Sequence, residues 1–559
     1  MGWCREAAST PLCPIGKAYP YILDHAAIIA LIDAVVLILL YSYYRRMGNY
    51  SGVEHGSAHW ATRDELKPFR HKGNDNMPLA KDIYLAPETG AANKNVFVNA
   101  APGGGKTFRI IIPAIEASTR PGYRSSFLCT DTKGALYRDT VHLVRDIRSM
   151  PVYLLNCADP WHSDRYNPLE NIHEERKNTE IAALGLAFAK NARDEEAHAG
   201  DSIWEDTFRQ LMVAVWMYQY DYKVNPLTGC PESRAMWRTA ELVRSLACKL
   251  RGDGDGEMCQ IAEAIRQRDP LHPSVVSLDF VLSGAAETVA SVVFTAGSKI
   301  QVFTYPEVES MTRCNDIPID KIISGDDPAG VYVNYSVGSP YKVIAALFME
   351  QFISSAYYLA EHDHGGKLPR SLKLFLDELP NICKIYSLPE RLSTSRSYGI
   401  DILVSVQSMQ QLERLFPKAE KTLMNNCVTH IYLGTGEQET MKQISEALGK
   451  TTTGELSYSQ NIGGRGGGGT TSERNIGREI ILPSEIASMP QKYAIIRMQG
   501  HQPIYAEKFV TEKEEWYKDL GGVGSPENNC TIEDDFKAKA AIQKYEYMTE
   551  CKERRERPT

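Results

Sequence analysis

The sequence lacks the cysteine spacing of a zinc site or of a disulfide-stapled domain. Its twelve cysteines are scattered, with no C-x-x-C pair, so we expect most of them to be small buried apolar residues in a reducing compartment. It also lacks an excess of positive charge. The formal net charge is −8, which excludes a broadly basic coat for nucleic acid and confines any DNA contact to a local site. At 559 residues the chain is long enough for about two to four domains.

Long apolar runs are also scarce, and the one that stands out lies near the N-terminus. Residues 26–40 are apolar except for Asp33, and the paired Arg45 and Arg46 end the run. This pattern predicts a transmembrane helix over residues 25–47, with residues 1–24 outside the cytoplasm and the bulk of the chain inside it. An acid in such a helix predicts a membrane-embedded partner near Asp33. A signal peptide is the alternative, but no small-residue cleavage pattern follows the run.

Glycine is concentrated in a short run that follows the apolar residues 95–99. Three consecutive glycines let several backbone N–H groups converge on one anion, and a helix beginning near Lys106 would point its positive end there. The pattern departs from G-x-x-x-x-G-K-[ST] only in its first position, which is Ala100. We therefore predict a nucleotide phosphate cradle in which Lys106 reaches the β- and γ-phosphates and Thr107 binds Mg²⁺. The residues predicted to bind ATP are Ala101, Pro102, Gly103, Gly104, Gly105, Lys106 and Thr107.

A pair of acids ends a second apolar run far downstream. Residues 372–376 are typical of a strand buried on both faces, and Asp377 and Glu378 follow directly. Ligands of open parallel sheets bind at the carboxyl ends of the strands. We predict that Asp377 holds the hydrated Mg²⁺ and that Glu378 orients the attacking water. Acids also end strands in solvent without any function, but phosphoryl transfer needs a cation, a base and a phosphate clamp together.

Strand and helix patterns alternate along most of the chain, which predicts an α/β fold with a mostly parallel sheet. This alternation predicts a nucleotide-binding domain in two parts, 95–170 and 300–510, separated by an all-α inserted domain at 171–299. A linker at 48–94 precedes this domain, and a charged C-terminal tail at 511–559 follows it.

Three further segments have a weaker pattern. The glycine-rich residues 463–469 predict a mobile loop, with a DNA-tracking loop as the alternative. The mixed-charge tail predicts a solvated helix or disorder, with partner docking as the alternative. The acidic stretch 194–201 is typical of a solvated surface, since no metal-ligand spacing accompanies it.

Several ordered sequence blocks, taken together, resemble the coupling proteins of type IV secretion and conjugation, the TraG/TraD-like membrane ATPases. The likeness covers most of the chain from Gly56 to about Tyr505. Besides the cradle and Trp204, the blocks that carry it are GSAHWAT at 56–62, TDTKGALY at 130–137, DRYNPL at 164–169, LDELPNI at 376–382, SRSYGI at 395–400 and QSMQQL at 407–412.

The resemblance implies a RecA-like P-loop ATPase that assembles as a homo-hexamer on the bacterial cytoplasmic membrane, with ATP and Mg²⁺ between subunits. On this reading Gln407 senses the γ-phosphate, and Arg396 is an arginine finger for the adjacent subunit. The partners implied are a relaxase or relaxosome with single-stranded DNA, and components of the type IV secretion channel. The all-α domain would receive the substrate.

The resemblance is incomplete in two respects, and three other functions stay open. Members of the family usually carry two membrane spans, whereas one is predicted here, and Ala100 replaces the first cradle glycine. An FtsK-like DNA translocase is disfavoured because no winged-helix pattern or set of several spans is found. A nucleotide-gated receptor without motor activity would not need Glu378. A protein-only cargo is not distinguished from DNA.

Overall fold

The computed structural model of the protein describes residues 26–47, 55–192, 202–251, 255–336, 338–460, 469–522 and 524–556. Two units are distinguished: residues 1–59 with 444–482, and residues 60–443 with 483–559. The acidic stretch 194–201, the N-terminal segment 1–24 and residues 463–468 of the glycine-rich segment lie outside the described residues.

The strands are, in chain order, β1 (Met77–Ala80), β2 (Ile83–Leu85), β3 (Val96–Asn99), β4 (Ser126–Asp131), β5 (Val152–Asn156), β6 (Gly330–Asn334), β7 (Leu372–Leu376), β8 (Ile400–Val406), β9 (Thr429–Tyr432), β10 (Lys450–Gln460), β11 (Gly469–Glu479), β12 (Tyr493–Met498) and β13 (Ile504–Glu507).

The helices are α1 (Ala26–Met47), α2 (Ile112–Ser118), α3 (Ala135–Val141), α4 (Lys177–Ala192), α5 (Ser202–Asp221), α6 (Met236–Arg251), α7 (Glu257–Arg266), α8 (Pro273–Leu282), α9 (Ala286–Ile300), α10 (Pro306–Met311), α11 (Ile319–Ser324), α12 (Lys342–His362), α13 (Leu379–Ile382), α14 (Leu388–Tyr398), α15 (Met409–Leu415), α16 (Glu420–Asn425), α17 (Gln438–Leu448), α18 (Pro483–Ala487) and α19 (Ile532–Glu556).

The larger unit is built on a nine-stranded sheet in the order β13-β12-β9-β3-β8-β7-β4-β6-β5. Neighbours from β9 to β5 are parallel, and β12 and β13 add an antiparallel edge. Strands β3, β4 and β7 are buried along their whole length, which fits the buried strand predicted at residues 372–376. The α/β prediction is confirmed. Because β8 lies between β3 and β7, the chain segments that follow these three strands emerge side by side at the carboxyl edge.

Helices α4 to α9 separate β5 from β6, where the sequence predicted an inserted helical segment. Aromatic residues pack at its centre: Phe188 stacks on Phe208 with ring centroids 5.3 Å apart, and Trp204 lies 5.1 Å from Phe208. Trp216 is fully buried. The helical region extends through α11 to Ser324 before β6 resumes the sheet.

Two regions are more ordered than the sequence pattern indicated. Within the range predicted as a linker, β1 and β2 form a hairpin whose Leu79, Ile83 and Leu85 are buried in the core of the sheet domain. Within the tail, α19 packs on the body of the larger unit: Asp535 pairs with Arg145 at 2.7 Å. The three-residue strand β2 is too short for a periodic signal, and the contacts of α19 are made with distant residues.

Helix α19 reaches residues of both the sheet domain and the helical insert. Near its C-terminus, Arg554 pairs with Glu309 at 2.6 Å and lies over the ring of Trp237 at 4.0 Å. Charged residues on one side of the helix therefore find partners, which explains how a mixed-charge segment becomes a packed helix.

The smaller unit contains α1 and the long hairpin of β10 and β11, which pair from Lys450 with Glu479 to Gln460 with Gly469. The apolar side chains of α1, among them Leu31, Leu37 and Leu40, are exposed by 47–67 %. Among the described residues, the helix with both the length and the hydropathy of a membrane span is α12, but 94 % of its apolar window is buried, as in a core helix. The span predicted over 25–47 stays a prediction.

Candidate functional site

The glycine-rich run forms a tight loop between β3 and a helix that begins at Thr107 with a π-helical turn. Gly103 and Gly105 have φ of 76° and 86°, in the left-handed region that glycine adopts without strain. A Cβ on Gly104 would lie 2.9 Å from the carbonyl oxygen of Ala101. The sequence of three glycines therefore follows from the backbone path of the loop, and the predicted helix start is observed.

The acid pair lies at the carboxyl end of β7, as predicted. Asp377 is buried, and its Oδ1 accepts a hydrogen bond from Ser405 Oγ at 2.5 Å. Glu378 has a φ of 50°, a conformation that costs a non-glycine residue roughly 1–3 kcal/mol. Its backbone N–H donates to the same Ser405 Oγ at 3.0 Å, which holds the turn in place.

The cradle and the acid pair meet directly, although 270 residues or more separate them in sequence. Lys106 Nζ lies 2.9 Å from Glu378 Oε1 and 3.7 Å from Asp377 Oδ1. Thr107 Oγ1 donates to Asp377 Oδ2 at 3.3 Å. The structure thus brings together the predicted phosphate-binding lysine, the hydroxyl and both carboxylates.

The two carboxyl groups have opposite pKa shifts. Burial raises the pKa of Asp377 above its ordinary value, and the charge of Lys106 opposes this only in part. Burial also acts to raise the pKa of Glu378, but the hydrogen bond and charge of Lys106 outweigh it and leave that pKa below its ordinary value. Glu378 is consequently an ionised carboxylate at neutral pH, which is the state that a water-orienting base requires.

Gln407 follows β8 and donates from Nε2 to Glu378 Oε1 at 2.7 Å. It therefore lies between the cradle strand and the acid-pair strand, in the place expected from the sheet order. A side chain that binds the candidate base directly is able to transmit a change at the nucleotide to β8.

Three polar residues of the site were not among those predicted from sequence. Thr132 Oγ1 and Asn381 Nδ2 donate to Glu378 Oε2 at 3.3 and 3.2 Å, and Ser405 contacts both acids. Thr132 follows β4 and Asn381 lies three residues beyond Glu378, so a search for polar residues at strand ends finds both. Ser405 is a polar residue within the apolar run of β8.

Arg396 is the one predicted catalytic residue that the structure does not bring to this group. It is exposed near the end of α14, just before β8 begins. The cradle and the two acids follow the carboxyl ends of β3 and β7, whereas Arg396 precedes the amino end of β8. Since these strands are parallel, Arg396 lies at the opposite edge of the sheet. It is available to another molecule and is remote from the Lys106 of its own chain.

The donor atoms suit a hydrated Mg²⁺ bound to a nucleotide. A threonine hydroxyl and a carboxylate face each other, and both are hard oxygen ligands of the type that Mg²⁺ prefers. The close approach to Ala101 leaves no room for a side chain at position 104. The residues present therefore fit a nucleotide phosphate with its cation.

Comparison with known proteins places this geometry in a family. The family model for "Type IV secretory system Conjugative DNA transfer" matches residues 60–552. The chain belongs to this family. The resemblance inferred from the sequence blocks is thereby confirmed.

Two curated relatives illustrate the range of similarity. The conjugal transfer protein TraG of Escherichia coli is 20 % identical over 541 residues, which cover 89 % of this chain and 82 % of the relative. The type IV secretion system-coupling protein VirD4 of Bartonella henselae is 27 % identical over 225 residues, which cover 39 % of this chain and 34 % of the relative.

Solved structures of the conjugative coupling protein TrwB share the fold. Unbound TrwB lacking its N-terminal 70 residues superposes with a TM-score of 0.58 at 17 % identity, covering 81 % of this chain and 92 % of that one. TrwB bound to the ATP analogue ADPNP gives 0.58 at 15 % identity, covering 82 % and 96 %. TrwB has also been solved with ADP and Mg²⁺. The RecA-like P-loop architecture expected from the resemblance is confirmed.

Proposed function

We propose that this protein is a membrane-anchored, Mg²⁺-dependent ATPase that recruits a relaxase joined to single-stranded DNA, or a protein effector, and delivers it to a type IV secretion channel. The observation that carries the proposal is the contact of Lys106 with Glu378 at 2.9 Å, with Gln407 on the same carboxylate. A phosphate-binding cation, a base and a reporting side chain converge there. Family membership, and the nucleotide complexes of TrwB, support ATP and Mg²⁺ as ligands.

The hydrolytic step follows from the chemistry of these residues. Lys106 and the cradle N–H groups would hold the β- and γ-phosphates, and Thr107 and Asp377 would hold Mg²⁺. The bound cation would supply positive charge beside the phosphates. Glu378 accepts a hydrogen bond from the attacking water and orients it. In this structure Lys106 is paired with Glu378. Nucleotide binding therefore has to move the lysine from the carboxylate to the phosphates, which leaves Glu378 able to bind the water.

The proposal includes a ring, because Arg396 cannot serve the site of its own chain. In a closed homo-hexamer each interface is heterologous, and a residue from one edge of a subunit meets the opposite edge of its neighbour. Arg396 would supply its guanidinium to the neighbour's γ-phosphate as a finger. Glu378 distinguishes this motor from a receptor that only binds nucleotide, since a receptor has no use for a base.

ATPase activity of the full-length protein in detergent, measured against protein concentration with and without single-stranded DNA, tests the motor. We expect the specific rate to rise steeply with concentration, because each site is completed by a second subunit, and we expect DNA to stimulate it. Tight MgATP binding without turnover under all conditions would favour the receptor instead.

A mixing experiment is the control for the role of Arg396. Arg396→Ala should lower kcat by roughly 10³-fold or more, whereas Arg268→Ala, which removes another exposed arginine, should not. Equal mixing of Arg396→Ala with Lys106→Ala should restore activity at about a quarter of the interfaces of a randomly mixed ring. Mixed rings no more active than the two variants separately would exclude a finger acting between subunits.

The membrane anchor is proposed on the exposed apolar side chains of α1. A lipid environment would cover them, with Asp33 facing a partner helix. In cells, the full-length protein should remain in the membrane pellet after alkaline carbonate washing, and a variant with Leu37→Lys and Leu40→Lys should be released. Complete extraction of the unsubstituted protein by carbonate would contradict the anchor.

A further inference from the structure

The residues that follow β13 contact the phosphate cradle and the helix after it. We call residues 508–512 the clamp segment. Lys508 Nζ donates to the carbonyl oxygens of Gly104 and Leu433, each at 2.8 Å. Arg109, in the first turns after the cradle, pairs with Glu512 and donates to the Phe509 carbonyl oxygen at 3.3 Å. The clamp segment is thus fixed to the loop and to the helix that follows it.

The carbonyl of Gly104 needs such a donor because of the path of the loop. For the cradle N–H groups to face a phosphate, the carbonyls between them have to point away from it, into the protein. A buried carbonyl without a partner costs about 1–3 kcal/mol. Lys508 supplies the partner, and only 7 % of this residue is exposed.

The same ammonium joins a second loop to the cradle. Leu433 directly follows β9, and the carbonyl oxygen of the next residue, Gly434, accepts a hydrogen bond from Ala101 N–H at 2.8 Å. Lys508 therefore bridges the two loops close to the hydrogen bond that joins them directly. If it is removed, the loops lose this bridge and keep the direct hydrogen bond between Ala101 and Gly434.

Lys508 forms no ion pair with a carboxylate among the residues that the structure describes. Its acceptors in the described part of the chain are two neutral carbonyls, and burial, with the nearby charge of Arg109, lowers the pKa of its amine to about 8. An uncompensated ammonium is expensive inside a protein. An anion in the cradle, on the other side of the Gly104 peptide, would supply the missing opposite charge.

We propose that Lys508 is a positioning residue of the nucleotide site, which fixes the cradle so that its N–H groups face the phosphates and which contributes positive charge from behind the loop. This inference rests on the proposed function. Lys508 acts through Gly104 and does not touch the reacting atoms, so it should govern nucleotide affinity more than the chemical step.

The test is Lys508→Met in the full-length protein, with binding of MgADP and MgATP measured at equilibrium and with steady-state kinetics. Loss of a charge-assisted hydrogen bond predicts a Kd and a KM raised by about 10–100-fold, with kcat at saturation changed much less. Lys508→Arg, which keeps the charge and the donors, should recover most of the affinity. Lys513→Met is the matched control, because that lysine is exposed directly beyond the clamp segment.

The outcomes separate this inference from the proposed function. If the unsubstituted protein fails to bind nucleotide, the proposed function is wrong. If it binds, and Lys508→Met binds equally well, the role of Lys508 is wrong. A purely structural role would lower the folded fraction and the apparent kcat while leaving KM unchanged, and that result also overturns it. Should Lys508→Met not fold, Lys508→Gln decides on the same criteria, since it removes the charge and keeps a donor.

Discussion

Lys106→Ala is expected to abolish MgATP turnover and substrate transfer. The ammonium of Lys106 is the cation that the cradle presents to the β- and γ-phosphates, and in this structure it already lies among the groups of the site, 2.9 Å from Glu378. Alanine removes a charge-assisted contact that strengthens as charge develops on the transferred phosphoryl group. We expect kcat/KM to fall by roughly 10²–10³-fold or more, measured by phosphate release at saturating Mg²⁺.

The substitution also has a structural consequence that the measurement has to separate. Lys106 is the cation that both Asp377 and Glu378 contact, and all three side chains are largely buried. Without it, repulsion between the two carboxylates should raise the pKa of one of them. Thermal unfolding therefore accompanies the assay. Lys442→Ala, which removes an exposed lysine, should leave both properties unchanged. A folded Lys106→Ala protein with normal turnover would refute the site.

The sheet and the centre of the site could be predicted from the sequence because their signals are local. The strands β3 and β7 are short, mostly apolar runs, and each is followed at once by the residues that carry the chemistry, the cradle and the acid pair. Parallel pairing brings such strand ends to one edge. The role of Gln407 could be predicted only from the family resemblance, since one glutamine after a strand has no distinctive pattern. Its position beside Glu378 follows from the strand order.

The parts that could not be predicted depend on contacts between distant residues. Lys508 meets Gly104 across 404 positions, and nothing near it in sequence distinguishes it from a surface lysine. Helix α19 has a mixed-charge composition typical of solvated segments, and only the placement of partners such as Arg145 and Glu309 shows that it packs. The role of Ser405 could not be predicted for the same reason, because its hydroxyl contacts Asp377 and Glu378, which follow a different strand.

Glu378→Gln is expected to stop hydrolysis while binding is kept or strengthened. The amide retains the shape of the carboxylate but cannot accept a proton from water, and loss of a positioned base lowers kcat by about 10²–10⁴-fold. In the unsubstituted protein MgATP competes with Glu378 for Lys106, which the carboxylate holds at 2.9 Å in a site where both side chains are 10–16 % exposed. Glutamine removes that competitor, so the Kd for MgATP should fall.

Equilibrium binding of MgATP and single-turnover hydrolysis, measured on the same preparation, check both halves of this expectation. Glu413→Gln, which changes an exposed glutamate, is the matched control and should alter neither quantity. Turnover that survives in Glu378→Gln would place the base elsewhere. Weaker MgATP binding would show that the Lys106–Glu378 ion pair supports the cradle in its binding form. Tighter binding without hydrolysis would mean that the ion pair is the resting state, which the nucleotide must open before the base can act.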